Sequence, residues 1–195
     1  MKDDYIKVYP LDINLYEAKL SCNLLYQHIK HNLSQDNLGI DTGPITTQAF
    51  NQYNLLLYPF AEFHKLYQEI CRVFSLVDTS EENYYIQCWL NYYEQGQFID
   101  WHSHWAPKDN TWHGFFCVDC EDSVTSYRLP TSEEIDVPSI NGNLVISRSA
   151  GDVHRTYPWP HSDRPRITVA FDCVPWRNIS WGTNHWVPIH RIKNV

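Results

Sequence analysis

The chain has 195 residues, with 15 Lys plus Arg against 23 Asp plus Glu and a formal net charge of −8. That length suits one domain, or one domain with an attached helical layer, and is enough to bury a core. The acidic balance argues against a broad nucleic-acid surface, and the charged start M-K-D-D-Y predicts no signal peptide, no transmembrane span and a cytoplasmic location.

Residues 14–33 read as a helix. Asn14 and Glu17 have the spacing of a capping pair, and Leu20, Leu24, Leu25 and Ile29 follow at helical intervals. Residues 34–46 carry Gly39, Gly43 and Pro44 and read as a loop. A second helix is expected from about Phe60 to Leu76, with Pro59 suited to its first turn and one apolar stripe through Phe63, Leu66, Ile70 and Phe74. Segment 47–58 is open between helix and loop.

After Asp78 the pattern changes. Strands are predicted at Tyr84–Tyr93, Phe98–Trp105, Gly114–Val118, Ser123–Leu129, Leu144–Ser147, Val153–Tyr157 and Arg166–Val174, separated by Gly, Pro, Asp and Asn turns. Short strands after an initial run of helices predict an α+β chain with a jelly-roll sandwich flanked by helices. The expected division of 1–195 is flanking helices over 1–80, a jelly-roll core over 81–175, and a tail over 176–195 packing on the core. Trp176, Trp181 and Trp186 in that tail read as packing residues. The six cysteines are expected reduced, with Cys117 and Cys120 as buried strand-end thiols.

Chemistry concentrates in Tyr93–Trp105, Y-E-Q-G-Q-F-I-D-W-H-S-H-W. On a strand His102, His104 and Asp100 share parity, so three metal-capable groups lie on one face. A further ligand is expected from His154, in G-D-V-H-R-T-Y-P-W. Two His and a third ligand leaving adjacent open positions suit non-haem Fe(II) oxygen chemistry. Arg166 and Thr168 share a strand face, and a guanidinium fork beside a hydroxyl is what a buried distal carboxylate needs. His113, His161, His185 and His190 read as surface residues or as supports behind the ligands. Asp109 and Asp172 read as turn or surface residues, with Asp172 and Arg155 as possible supports. Trp101, Trp105, Trp112 and Phe115 are candidate walls for a substrate.

The order H-x-(H/D), then His, then Arg-x-(Ser/Thr) resembles the Fe(II)/2-oxoglutarate-dependent oxygenases, in particular the prolyl-4-hydroxylase-like branch with its small bacterial and phage members. That branch has Y-x-x-G-x-x-x-x-x-H-x-D, which stands here as Tyr93, Gly96, His102 and His104. G-N-L-V-I-S at Gly142–Ser147 resembles the strand before the distal His, and R-I-T-V-A-F-D resembles the co-substrate strand. The similarity covers about residues 84–175. It implies a double-stranded β-helix (cupin-like) core, Fe(II) held by His102 and His154, and 2-oxoglutarate held through Arg166, Thr168 and Tyr93. The implied reaction uses O2 to hydroxylate an unactivated C–H of a peptide, an amino acid or a small metabolite. Where the family pattern has a carboxylate, this chain has His104. His104 is the expected third ligand, with Asp100 in reserve and Asp109 as another route to a carboxylate. Two alternatives stand beside this reading: a cupin-like three-His metal dioxygenase without 2-oxoglutarate, and a non-catalytic jelly-roll binding module.

Overall fold

The computed structural model describes residues 5–35, 45–46, 54–149, 153–179 and 185–191. Its first helix, α1 (Leu15–Gln35), starts where the sequence places it: the Asn14 Oδ1 accepts the Glu17 amide at 3.3 Å. The second, α2 (Ala61–Val77), buries the stripe Phe63, Leu66, Ile70, Val73 and Phe74. Between them, among the described residues, a 3-10 turn, Leu55–Leu57, follows Asn54; residues 36–44 and 47–53 lie outside the described residues. Among the described residues no helix is long and apolar enough to cross a membrane.

The strands are β1 (Ile6–Pro10), β2 (Ile45–Thr46), β3 (Tyr84–Tyr93), β4 (Trp112–Asp119), β5 (Val124–Arg128), β6 (Glu134–Pro138), β7 (Asn143–Arg148), β8 (Val153–Thr156), β9 (Arg166–Pro175) and β10 (Val187–Pro188). They form a major sheet in the order β1-β7-β4-β9-β3-β10, with β2 also on β3, and a minor sheet β6-β5-β8. Every pairing is antiparallel. This is a double-stranded β-helix with two helices laid on one sheet. The alternation within strands divides the side chains between two cores. Ile86, Cys88 and Leu90 of β3, with Ile167, Val169 and Phe171 of β9, face the helices. Trp89, Phe115, Cys117 and Ala170 face the minor sheet and its Tyr127 and Val137.

Four strands have no counterpart in the sequence reading. β1, β2 and β10 extend the major sheet beyond residues 81–175, and β6 completes the minor one. β1 and β6 are short and interleaved with charged residues, so their alternation of Ile6 with Val8 and of Ile135 with Val137 is weak until a sheet edge is present to pair it. The tail packs through β10 and through His185, whose carbonyl accepts Asn54 Nδ2 at 2.6 Å. Trp176 departs from its expected role: it is 52% exposed, its ring tilted against Tyr85. Trp181 lies outside the described residues. All six cysteines are buried and free. Gly114 sits mid-strand because a Cβ there would collide with the Phe171 ring and lie 2.5 Å from the Val145 carbonyl oxygen.

Asp78 ties the helical layer to the sheet. Its carboxylate accepts from Ser80 Oγ (2.6 Å), Arg191 Nη2 (2.9 Å), Tyr84 Oη (3.1 Å) and Trp112 Nε1 (3.1 Å). Burial pushes its carboxyl up, but hydrogen bonds from Ser80, Arg191 and Trp112 outweigh that and hold it below its ordinary value. A depressed carboxyl stabilises the fold above the unfolded value of about 3.9 and loses that contribution as pH falls through the folded value. Asp78→Asn is expected to cost about 2–3 kcal/mol near neutral pH. In urea denaturation series, the gap between wild type and variant should narrow as pH falls below about 4.

Candidate metal centre

The site grows from strand alternation on the inner face of the major sheet. Along β9 the residues Arg166, Thr168, Ala170 and Asp172 point inward in turn, and β3 sets Tyr93 opposite Arg166 and Asn91 opposite Thr168. Across the gap, β8 presents His154 and Thr156 and β5 presents Thr125. These residues line a small cavity together with Trp89, His102, His104, His113 and Phe115.

His102 and His104 reach this cavity by a different route from the one the sequence suggests. Phe98–Trp105 is not a strand; it is irregular, with one bridge in which the His102 and His154 amides and carbonyls exchange hydrogen bonds at 3.0 and 2.9 Å. Side chains take the backbone groups a ladder would need. The Asp100 carboxylate accepts the Trp101 amide (2.7 Å), the Thr156 hydroxyl accepts the Ile99 amide (3.0 Å), and the Asp100 carbonyl binds His102 Nδ1 (2.8 Å). Pairing slips by one residue, so that the Thr156 amide donates to Ile99 rather than to Asp100. Asp100 therefore leaves the face it was expected to share with the two histidines, and is exposed.

The ligand nitrogens of His102, His104 and His154 lie within 4.8 Å of one another. Nitrogens around one ion at about 2.1 Å stand about 3–4 Å apart, so small side-chain rotations close the set. A backbone carbonyl only accepts, so His102 carries its proton on Nδ1 and presents Nε2 to the cavity. Burial pushes the His102 ring below its ordinary value, which keeps it neutral and able to ligate. His104 is held from two sides, its ring stacked on Trp89 at 5.3 Å and its Nδ1 on the Asp172 carboxylate at 3.2 Å.

Two residues that sequence reasoning set aside complete the cluster. His113, expected at the surface or behind the ligands, is buried at the cavity wall directly opposite Asp172 in the β4–β9 register. Asp172, expected first as a turn or surface residue, is 4% exposed. Its carboxylate accepts from His113 Nδ1 (2.9 Å), Trp105 Nε1 (2.8 Å) and His104 Nδ1. His104, His113 and Asp172 form a second group of ligand-capable atoms within 4.8 Å. Burial and the neighbouring His104 push the His113 ring down to about 4. Burial alone would raise Asp172, but His104 and His113 hold its carboxyl well below the usual carboxylate range. The parity of Asp172 with Arg166 and Thr168 was legible in the sequence and would have pointed it inward.

At the other end of the cavity Arg166 is 2% exposed. Its Nε donates to Ser123 Oγ at 3.1 Å and its guanidinium lies 5.4 Å from the Tyr93 ring centre. Among the described residues no carboxylate pairs with it. The hydroxyls of Thr168, beside it on β9, and of Thr125, across the gap on β5, are buried without a hydrogen-bond partner. A buried guanidinium and two unsatisfied hydroxyls fit an incoming carboxylate.

Of the candidate walls, Phe115 lines the cavity. Trp112 packs in the helix-side core, and Trp105 serves Asp172. Trp101 belongs to the opposite face of the minor sheet, with the Arg128 and Arg155 guanidiniums 4.2 and 4.6 Å from its ring centre. Asp109 accepts the Ala106 amide in a 3-10 turn, and His161 pairs with Asp122.

The fold is the double-stranded β-helix seen in structures of 2-oxoglutarate–Fe(II) oxygenases. The chain is similar to a prolyl-4-hydroxylase from Pseudomonas putida, at 12% identity over 89% of this chain and 94% of that one, with a TM-score of 0.60. It is similar also to HygX from Streptomyces hygroscopicus, solved with nickel and 2-oxoglutarate (11% identity, 93% and 87% of the two chains, TM-score 0.58). A third is the non-heme monooxygenase ThoJ in its apo form (12% identity, 97% and 82%, TM-score 0.63). No protein-family model matches the chain, and no curated protein matches it by sequence. At these identities the likeness is one of fold.

Proposed function

We propose that the protein is an Fe(II)- and 2-oxoglutarate-dependent dioxygenase that hydroxylates an unactivated C–H of a peptide, an amino acid or a small metabolite. The observation that carries this reading is Arg166: a buried guanidinium, with no carboxylate partner among the described residues, facing the same cavity as three converging imidazoles. Nothing in a purely structural core needs such a charge, and leaving it unpaired is costly.

In this reading His102, His104 and His154 hold the metal, and the bound iron with 2-oxoglutarate supplies the activation of O2. The protein's own residues bind and orient. Arg166 takes the far carboxylate, the Thr168 hydroxyl donates to it, and the Tyr93 ring supports the guanidinium from below. Trp89 and Phe115 keep the cavity wall apolar, which limits water around the reacting atoms. Six free buried thiols fit a reducing compartment, and we place the protein in the cytoplasm.

A second reading is favoured by the same His104: a three-imidazole centre suits a dioxygenase that binds its substrate directly, without 2-oxoglutarate. One experiment separates the two. Anaerobic titration of Fe(II)-loaded protein with 2-oxoglutarate is expected to raise the visible metal-to-keto-acid charge-transfer band. Iron binding with no such band would hand the site to the second reading. No iron binding at all would remove both.

A further inference from the structure

The metal-binding reading leaves one anomaly. Three neutral imidazoles bring no negative charge to a divalent cation, whereas a carboxylate ligand neutralises half of it. The structure holds a carboxylate one bond further out. Asp172 is buried on the floor of the site, and His104 Nδ1 lies 3.2 Å from its Oδ2. Among the described residues neither Lys nor Arg pairs with it; its contacts are His104, His113 and the Trp105 indole. Such a charge is expensive to bury without a cation close by. His104 is the group that stands between it and the other two candidate ligands.

The donor inventory fixes the arrangement. An ionised carboxylate only accepts, so both histidines give it an Nδ1–H. His104 is thereby held in the tautomer whose Nε2 lone pair is available, and its ring is clamped by Trp89. A carboxylate behind a ligating imidazole makes that imidazole more basic and more anionic in character. His113 and Trp105 bind two further acceptor positions of Asp172, which aims the carboxylate away from the other two candidate ligands.

We propose that Asp172 is the positioning residue of the metal centre: acting through His104, it supplies from behind the negative charge that a carboxylate ligand would supply directly. This rests on the metal-binding reading above. It adds that the chain has moved one carboxylate outward by one imidazole rather than lost it.

The test is an exchange of charges, read as Mn(II) affinity by calorimetry. Asp172→Asn is expected to weaken Mn(II) binding about 10–100-fold. Adding His104→Asp to Asp172→Asn, which returns the carboxylate to the ligand position, is expected to recover most of that loss. Undiminished affinity in a folded Asp172→Asn protein, or no recovery in the double variant, overturns the proposal. A second measurement needs no change at Asp172. In Co(II)-loaded wild type, the shifted His104 Nδ1–H proton resonance should persist in D2O well beyond that of His102, whose carbonyl partner is exposed. Exchange at equal rates would mean that the His104–Asp172 bond does not survive metal binding, and would overturn the proposal. Wild-type protein that binds neither Mn(II) nor Co(II) would instead sink the metal-centre reading.

Discussion

Arg166→Ala is expected to weaken 2-oxoglutarate binding at least about 30-fold while leaving Fe(II) binding within a few-fold of wild type. Truncating one partner of a buried hydrogen-bonded charge pair costs about 2–5 kcal/mol, and among the described residues Arg166 is the one buried guanidinium on the cavity wall. Arg166→Lys should recover little, because a point charge on a flexible stem does not reproduce the planar fork. Stability should move the other way. Without its ligand the protein buries the Arg166 cation against a serine hydroxyl and an aromatic ring. Arg166→Met removes that desolvated charge and is expected to raise the stability of the ligand-free protein by about 1–4 kcal/mol. Equilibrium denaturation measures the gain, and calorimetric titration with 2-oxoglutarate measures the loss. Finding both in one variant would mark a charge kept for binding at the expense of the fold. An Arg166→Met protein less stable than wild type would mean that the guanidinium is a structural group.

The second large effect is expected at the ligands. A metal that binds the folded state alone stabilises it by about 2.7 kcal/mol at one hundred times its dissociation constant. For a chain of this size that is a rise of about 5–10 °C in melting temperature. Mn(II) or Fe(II) under anaerobic conditions should produce this shift in wild type, and His154→Ala should abolish it. Asp100→Ala should leave the metal-induced shift nearly unchanged, since that carboxylate is turned onto the Trp101 amide and faces solvent. A metal-induced shift lost in Asp100→Ala and kept in His154→Ala would reverse the assignment of ligands. Differential scanning calorimetry with and without metal checks both variants.

The helices and the alternating strands were legible because periodicity reports burial directly, as on the apolar stripe of α2 and the inward series of β9. The three histidines converge as expected in space, but the reason first given for two of them, a shared strand face, does not hold. A residue-type pattern can identify the members of a cluster while the backbone reaches them by a bulge, since the Asp100 and Thr156 groups that break the ladder act only once β8 lies alongside. What composition could not reveal was the partnership across β4 and β9. His113 and Asp172 are 59 residues apart and each looks ordinary in its own segment. Only the sheet register makes them neighbours, and only their neighbourhood makes a buried carboxylate tolerable. β1 and β6 were missed for a related reason, since a short charged strand is specified by the edge it pairs with.

Trp101 lines no part of the cavity. It precedes His102, and its indole packs against two guanidiniums on the outer side of the minor sheet. The segment is thus pinned outside by an indole and inside by an imidazole one residue later, like a board fixed by a bolt. The height at which His102 stands is set partly from the far side of the wall. A change at Arg128 or Arg155 would thus bear on where the candidate ligand His102 stands without touching any of the three histidines.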